Sequence, residues 1–465
     1  MAKGIKIVTI GGGSSYTPEL IEGYIKRKDE LPIDEIVLVD IEAGKEKLNI
    51  VGAMAKRMIK SAGLPWKVTL TLDRFNALKD ADFVTTQFRV GLLDARVKDE
   101  RIPLSHGILG QETNGAGGML KAMRTIPVIG SIIEDMRQQC PNAWLINFTN
   151  PAGMITEAAI KEFGWDRTIG LCNVPITHCI DISEKLDVKQ EDLFFQFAGI
   201  NHFHWHRVWD KAGNERTQEL IDLLYKEDEN TPDSALKNIH DAGFNIDQIQ
   251  DLGLLPCGYH HYYYSADEML EHSIEEFKNG ETRAQVVKET ERDLFELYKN
   301  PELDYKPEEL TLRGGTYYSD AACEVIASIY NDKRTPMVVS TQNKGAIADL
   351  PYDAVVEISA DITSHGAVPY NFGSFMPAAR GMLQLMKGME ETVIRAAVEG
   401  NYGAALHAFT INPLVPGGRT AKRVLDELLY AHKEHLPQFA KKIKEIETKQ
   451  PDVVESVNEL MKTNG

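Results

Sequence analysis

A short β-rich run, Ile5-Lys6-Ile7-Val8-Thr9-Ile10, breaks into Gly11-Gly12-Gly13-Ser14-Ser15 and then into a helical pattern opened by Tyr16-Thr17-Pro18-Glu19-Leu20. A strand, a glycine turn and a helix start, in that order, restrict the fold more than any other stretch. Glycines let a backbone approach a phosphate closely, and a helix start presents N–H donors at the positive end of its dipole. The dinucleotide pattern G-x-G-x-x-G is incomplete, because Tyr16 stands at its last glycine. Alone, the turn is therefore equally compatible with a plain bend. A second strand, Ile36-Val37-Leu38-Val39, ends in Asp40. A carboxylate there accepts hydrogen bonds from ribose hydroxyls and favours NAD over NADP. Further β-like runs at 67–72, 82–88 and 143–147 alternate with helical patterns such as 126–137. The alternation predicts an α/β fold built on a Rossmann-like doubly wound parallel sheet. Gly11, Gly12, Gly13, Ser14 and Asp40 are expected at the cofactor. Asn147, at the end of another strand, is expected to join them at the same sheet edge.

The chain's 465 residues exceed what one core usually supports. Two domains are expected: a cofactor domain over 1–175, and a substrate, metal and oligomerisation domain over 176–465. Past Trp205 the alternation stops and helical patterns take over, at 218–228, 282–299, 393–409, 418–429 and in the tail from 437 to 465. The second domain is therefore expected to be mixed and largely helical. The net charge of −18 argues against nucleic acid or an anionic membrane as partner. No apolar run is long enough to span a bilayer. The N-terminus lacks signal-peptide shape. Five scattered cysteines with no CxxC pair fit a reducing cytoplasm.

The most informative stretch runs from 171 to 205. Cys172 follows the apolar run 168–171, and His202 follows the apolar run 193–198. Two strand ends would thus deliver a thiol and an imidazole to one edge, a pair able to hold a metal. A lone cysteine is more often a small buried hydrophobe. Two polar segments read as loops at that edge. One carries Arg96 and Arg101, which read equally well as solvated helix charges. The other, 111–118, sets Glu112 among glycines. The stretch 252–264 is crowded with Tyr259, His260, His261 and three further tyrosines, and its plainer reading is an aromatic core helix start.

Taken together, these motifs resemble glycoside hydrolase family 4, the NAD- and metal-dependent glycosidases. The resemblance covers nearly the whole chain. It is carried by Gly11-Gly12-Gly13-Ser14, the 96–103 segment, Gly110-Gln111-Glu112-Thr113, Asn147-Phe148-Thr149-Asn150-Pro151, and Asn201-His202 with Trp205. Cys172-Asn173-Val174-Pro175 resembles the variant of the branch acting on 6-phospho-β-glucosides, whereas α-specific branches carry Asp or His after the cysteine. The resemblance implies an exception to two-carboxylate glycoside hydrolysis. NAD takes hydride from sugar carbon 3, a base removes the acidified proton on carbon 2, and the aglycone leaves carbon 1. Water then adds and the hydride returns. It also implies a divalent metal, most often manganese, on Cys172 and His202. Tyr259 is the implied base, with Tyr263 its rival. Ser14, Arg96, Asn150, Asn173 and Arg283 are implied at a small phosphorylated glycoside, and a homodimer or homotetramer is expected. The alternatives are a 6-phospho-α- or unphosphorylated α-glycosidase of the family, an NAD-dependent hydroxyacid dehydrogenase, and a non-enzymatic NAD-binding protein. In a dehydrogenase, Cys172 and His202 have no role.

Overall fold

A computed structural model describes residues 4–225, 239–240, 242–313 and 318–462. Residues 226–228 of the expected helix and 463–465 of the tail lie outside the described residues. In chain order the strands are β1 (Ile5–Ile10), β2 (Ile33–Val39), β3 (Lys67–Thr71), β4 (Phe83–Thr86), β5 (Trp144–Asn147), β6 (Thr168–Gly170), β7 (Leu193–Ile200), β8 (Phe203–Asp210), β9 (Leu255–Pro256), β10 (Thr335–Gln342), β11 (Val355–Thr363) and β12 (Gly366–Pro369). They form one sheet in the order β3-β2-β1-β4-β5-β6-β10-β11-β7-β8-β9, with β12 beside β11. The first six are parallel in the Rossmann order. Strands such as β1 and β2 are buried along most of their length because helices cover both faces.

The sheet continues well past Trp205, where the sequence pattern suggested a mixed but largely helical domain. β6 hands over to the antiparallel set through Ser340, which pairs with Gly170. β11 was hidden because its apolar residues alternate with Glu357, Ser359 and Asp361, yet it is buried on both faces. The helix Tyr318–Asn331 covers one part of it. The expected 393–409 helix is two helices. Gly400, at φ +63°, ends Pro377–Glu399, and the Asn401 side chain caps Tyr402–Ile411 by accepting the Ala404 N–H at 3.0 Å. The tail holds Ala440–Lys449 and Pro451–Lys462.

Two segments read as loops are helical. Arg96 and Arg101 lie in the helix Leu92–Ser105, and both are buried. The glycine-rich run opens the helix Gly115–Gln139. A Cβ on Gly118 would lie 2.2 Å from the Thr113 carbonyl oxygen, so these glycines let the preceding loop pack directly on the helix start. All five cysteines are buried, and none forms a disulfide. Among the described residues, no helix is long and apolar enough to cross a membrane.

Candidate active site

The carboxyl ends of the parallel strands carry the first half of the site. Gly11 has φ +87°, and its N–H and that of Gly12 both donate to the Val39 carbonyl, at 2.9 and 2.8 Å. The turn is thereby fastened to the end of β2. The Gly13 N–H donates to Asp40 Oδ2 at 2.7 Å, and a Cβ on Gly13 would meet that same oxygen at 2.7 Å. Gly11, Gly12, Gly13 and Asp40 thus form one cradle with no room for larger residues, a shape suited to a dinucleotide. Ser14 is half-buried at the following helix start, and its Oγ accepts the Tyr16 N–H at 3.3 Å. Asn147 is fully buried. Its Oδ1 accepts from the Thr86 hydroxyl at 2.8 Å and the Thr149 N–H at 3.1 Å, and its amide donates to the carbonyls of Thr149 and Ala152. Its side chain therefore braces the β5 end, at the sheet edge where the sequence expectation placed it.

The second half is the thiol–imidazole pair. Cys172 lies just past β6, and His202 sits in the two-residue turn between β7 and β8, whose last paired residues are Ile200 and Phe203. Cys172 Sγ is 3.4 Å from His202 Nε2, and both residues are buried. His202 has φ +64°. A side chain in that left-handed region costs about 1–2 kcal/mol relative to glycine. Burial pushes the imidazole down to about 3, so it is neutral at physiological pH with a lone pair to offer. Among the described residues no group of three or more His, Cys, Asp or Glu side chains is arranged around one metal position. The pair alone fits a divalent cation that keeps open positions for substrate oxygens and water.

Tyr259 stacks on His202, with ring centroids 4.0 Å apart and planes 19° from parallel. Burial, then Cys172, Tyr262 and Glu112, push its phenol well above the ordinary tyrosine value. A phenol raised this far is ionised only with a cation beside it. Tyr263 packs edge-on against Phe203 at 4.9 Å. Its hydroxyl faces a cavity of about 20 Å³, also lined by His202 and Glu390, large enough for one water.

A cationic wall completes the site. Arg96 donates from Nε to Glu100 at 2.7 Å, and its Nη1 lies 3.3 Å from Glu112. Glu112 also pairs with Arg89 and with Lys121, the latter at 2.9 Å. Burial opposes the Glu112 charge, but the three cations hold its carboxyl well below the usual range. Burial and the Arg89 charge push Lys121 down to about 7. Glu100 accepts the Ala284 N–H at 2.7 Å and so ties Arg96 to the helix Arg283–Tyr298. That helix starts sharply at a Thr282/Gln285 capping box. Burial, then the nearby Arg96 and Arg313 charges, push Arg283 below the ordinary arginine value. Cations held this close attract an anion strongly. Asn150, half-buried after β5, accepts the Ala152 N–H through Oδ1 at 3.2 Å. Asn173, also half-buried, stands directly after Cys172 and starts the helix Val174–Leu186. Sequence reasoning overlooked Arg89, Lys121, Glu100 and Arg313. The one available signal was Glu112 among glycines, a buried carboxylate that needs cations.

Comparison with known proteins places this site in a family. The chain matches the family 4 glycosyl hydrolase model over residues 6–188 and its C-terminal domain over 197–415. It belongs to the family 4 glycosyl hydrolases. It is 53% identical over 445 residues to a probable 6-phospho-beta-glucosidase of Bacillus subtilis (strain 168), covering 95% of this chain and all of that one. It is 49% identical to the 6-phospho-beta-glucosidase of Escherichia coli (strain K12), over 96% of this chain and 99% of that one. A solved structure of the Thermotoga maritima 6-phospho-beta glucosidase with manganese, NAD+ and glucose-6-phosphate matches at a TM-score of 0.83 and 34% identity. It covers 93% of this chain and 99% of its own.

Proposed function

We propose that the chain hydrolyses 6-phospho-β-glucosides, with NAD and a divalent cation, manganese, as its cofactors, in the cytoplasm. The observation that carries this reading is the Cys172–His202 pair under the Tyr259 ring, flanked by Arg96. Bound NAD supplies reversible hydride chemistry at sugar carbon 3, and the cation supplies Lewis acidity toward the oxygens on carbons 2 and 3. Gly11, Gly12, Gly13 and Asp40 hold the dinucleotide, and Cys172 and His202 hold the cation. Arg96, Arg283, Ser14 and Asn150 take the 6-phosphate and set the depth of the sugar in the pocket. Tyr259, ionised by the adjacent cation, takes the proton from carbon 2 as the aglycone leaves carbon 1, and returns it when water adds. Asn173 has no acidic proton for the leaving group, and this absence supports the β-specific over the α-specific branches.

The test is hydrolysis of p-nitrophenyl 6-phospho-β-glucoside by metal-stripped protein, adding NAD and manganese separately and together, with the carbon-2-deuterated sugar alongside. Turnover only with both, slowed by deuterium and lost in Tyr259→Phe but retained in Tyr263→Phe, is expected. Turnover with neither additive overturns the proposal. Steady NADH accumulation on another alcohol without hydrolysis favours a dehydrogenase.

A further inference from the structure

Glu357 lies near the start of β11 and is 1% exposed. A buried carboxyl costs free energy unless its hydrogen bonds are made. Its partners are all in or beside the turn that carries His202. Glu357 pairs in register with Gly199, which sets its side chain beside the β7–β8 hairpin. Oε1 accepts the Asn201 side-chain amide at 3.0 Å. The carboxyl also accepts the His202 backbone N–H. Oε2 stands 3.4 Å from His204 Nε2 on the next strand. The turn has only two residues, and the second is the histidine in left-handed backbone. Left to its own preference, a histidine there relaxes out of that region and takes its ring away from Cys172. Gly153 leaves space for the arrangement, since a Cβ on it would lie 3.0 Å from the Asn201 Cβ and 3.2 Å from Glu390 Oε1.

We infer that Glu357 is a positioning residue for the metal centre: by holding both residues of the Asn201-His202 turn from the neighbouring strand, it keeps the His202 imidazole at the Cys172 thiol. The inference rests on the reading of Cys172 and His202 as metal ligands. Groups that orient a metal ligand typically change affinity by about 10- to 100-fold when removed.

The experiment titrates Mn2+ into metal-stripped protein, following free Mn2+ by electron paramagnetic resonance, and measures NAD affinity separately by fluorescence. Glu357→Ala is expected to weaken Mn2+ binding by about 10-fold or more and to leave NAD binding within about twofold. Glu357→Gln keeps an acceptor oxygen for the turn and is expected to restore Mn2+ binding to within about threefold. Asn201→Ala removes one of the two clamps, with an expected loss of about 10-fold, and decides the matter if Glu357→Ala does not fold. Wild-type Mn2+ affinity in folded Glu357→Ala, or in Asn201→Ala where the first variant does not fold, overturns the positioning role alone. Equal losses of Mn2+ and NAD affinity also overturn it. Wild-type protein that binds no Mn2+ overturns the metal reading, and this inference with it.

Discussion

Arg96→Lys tests the phosphate wall with the least collateral change. Arg96 uses Nε on Glu100 at 2.7 Å and Nη1 toward Glu112 at 3.3 Å, and the proposed function assigns its remaining donor capacity to the phosphate. Lysine keeps the charge but has no fork, so it cannot hold both carboxylates and a phosphate oxygen at fixed angles. A hydrogen bond to a charged group is worth about 1.5–3 kcal/mol. At about 1.4 kcal/mol per decade, losing one such bond lowers kcat/KM on p-nitrophenyl 6-phospho-β-glucoside by about 10- to 140-fold. Arg96→Ala does more, because it also leaves Glu100 and Glu112 without their guanidinium, a cost of about 3–5 kcal/mol for a broken buried pair. That variant is expected to melt measurably lower. The assay compares kcat/KM on the phosphorylated and unphosphorylated glucosides, and the inhibition constant of glucose 6-phosphate. The expected result is a selective loss on the phosphorylated substrate with a parallel rise in that inhibition constant. Equal losses on both glucosides, with the inhibition constant unchanged, refute the assignment of Arg96 to phosphate.

Gly13→Ala places a methyl 2.7 Å from Asp40 Oδ2, so NAD affinity measured by fluorescence is expected to fall by about 10-fold or more; unchanged affinity removes Asp40 from the cofactor site. Cys172→Ser is expected to weaken Mn2+ binding, and bound Mn2+ is expected to protect Cys172 from alkylation in a mass-spectrometric assay. His260 is fully buried, and burial pushes it down to about 3 from an unfolded value near 6.5. The unfolded chain therefore binds the extra proton, and stability falls as pH drops through that window. Between pH 6.5 and 5 the loss from this group is about 2 kcal/mol in denaturant unfolding. His260→Phe is expected to flatten that slope, and an unaltered slope excludes His260 as its source.

The parallel half of the fold was legible because its signals are local. β1, the glycine turn and Asp40 lie within one stretch of chain, and each parallel strand announces itself as an apolar run between helices. β10 and β11 carry no such mark. In β11 the polar residues alternate as on a half-exposed strand, and only tertiary cover from helices such as Tyr318–Asn331 makes it interior; β10 mixes apolar and polar residues without a regular period. Cys172 and His202 stand at strand ends as the pattern expected, yet Glu357, whose carboxyl accepts the Asn201 amide in the turn that carries His202, lies 155 positions beyond His202 in a strand the pattern concealed. The bonds of the Asn147 side chain were hidden in the same way. An asparagine at a strand end looks free to face a ligand, and only the folded structure supplies Thr86, Thr149 and Ala152 as competitors for its hydrogen bonds.

The acidic composition and the anion site are reconciled by where the carboxylates stand. A chain of net charge −18 repels a phosphate dianion at long range, but salt screens that repulsion beyond about 10 Å. Inside the pocket the balance reverses. Glu112 is shared among Arg89, Arg96 and Lys121, and Glu100 divides itself between Arg96 and a backbone N–H, so neither carboxylate neutralises its cations one for one. The shared carboxylates make it possible to bury several cations together, and on the proposed reading the positive charge left over serves the phosphate. Arg283 is pushed down by burial and by the Arg96 and Arg313 charges. An incoming phosphate relieves the repulsion there. Binding strength on this account comes as much from strain among the cations before the ligand arrives as from the contacts made afterwards, and glucose 6-phosphate should accordingly raise the melting temperature of wild-type protein more than that of Arg283→Gln.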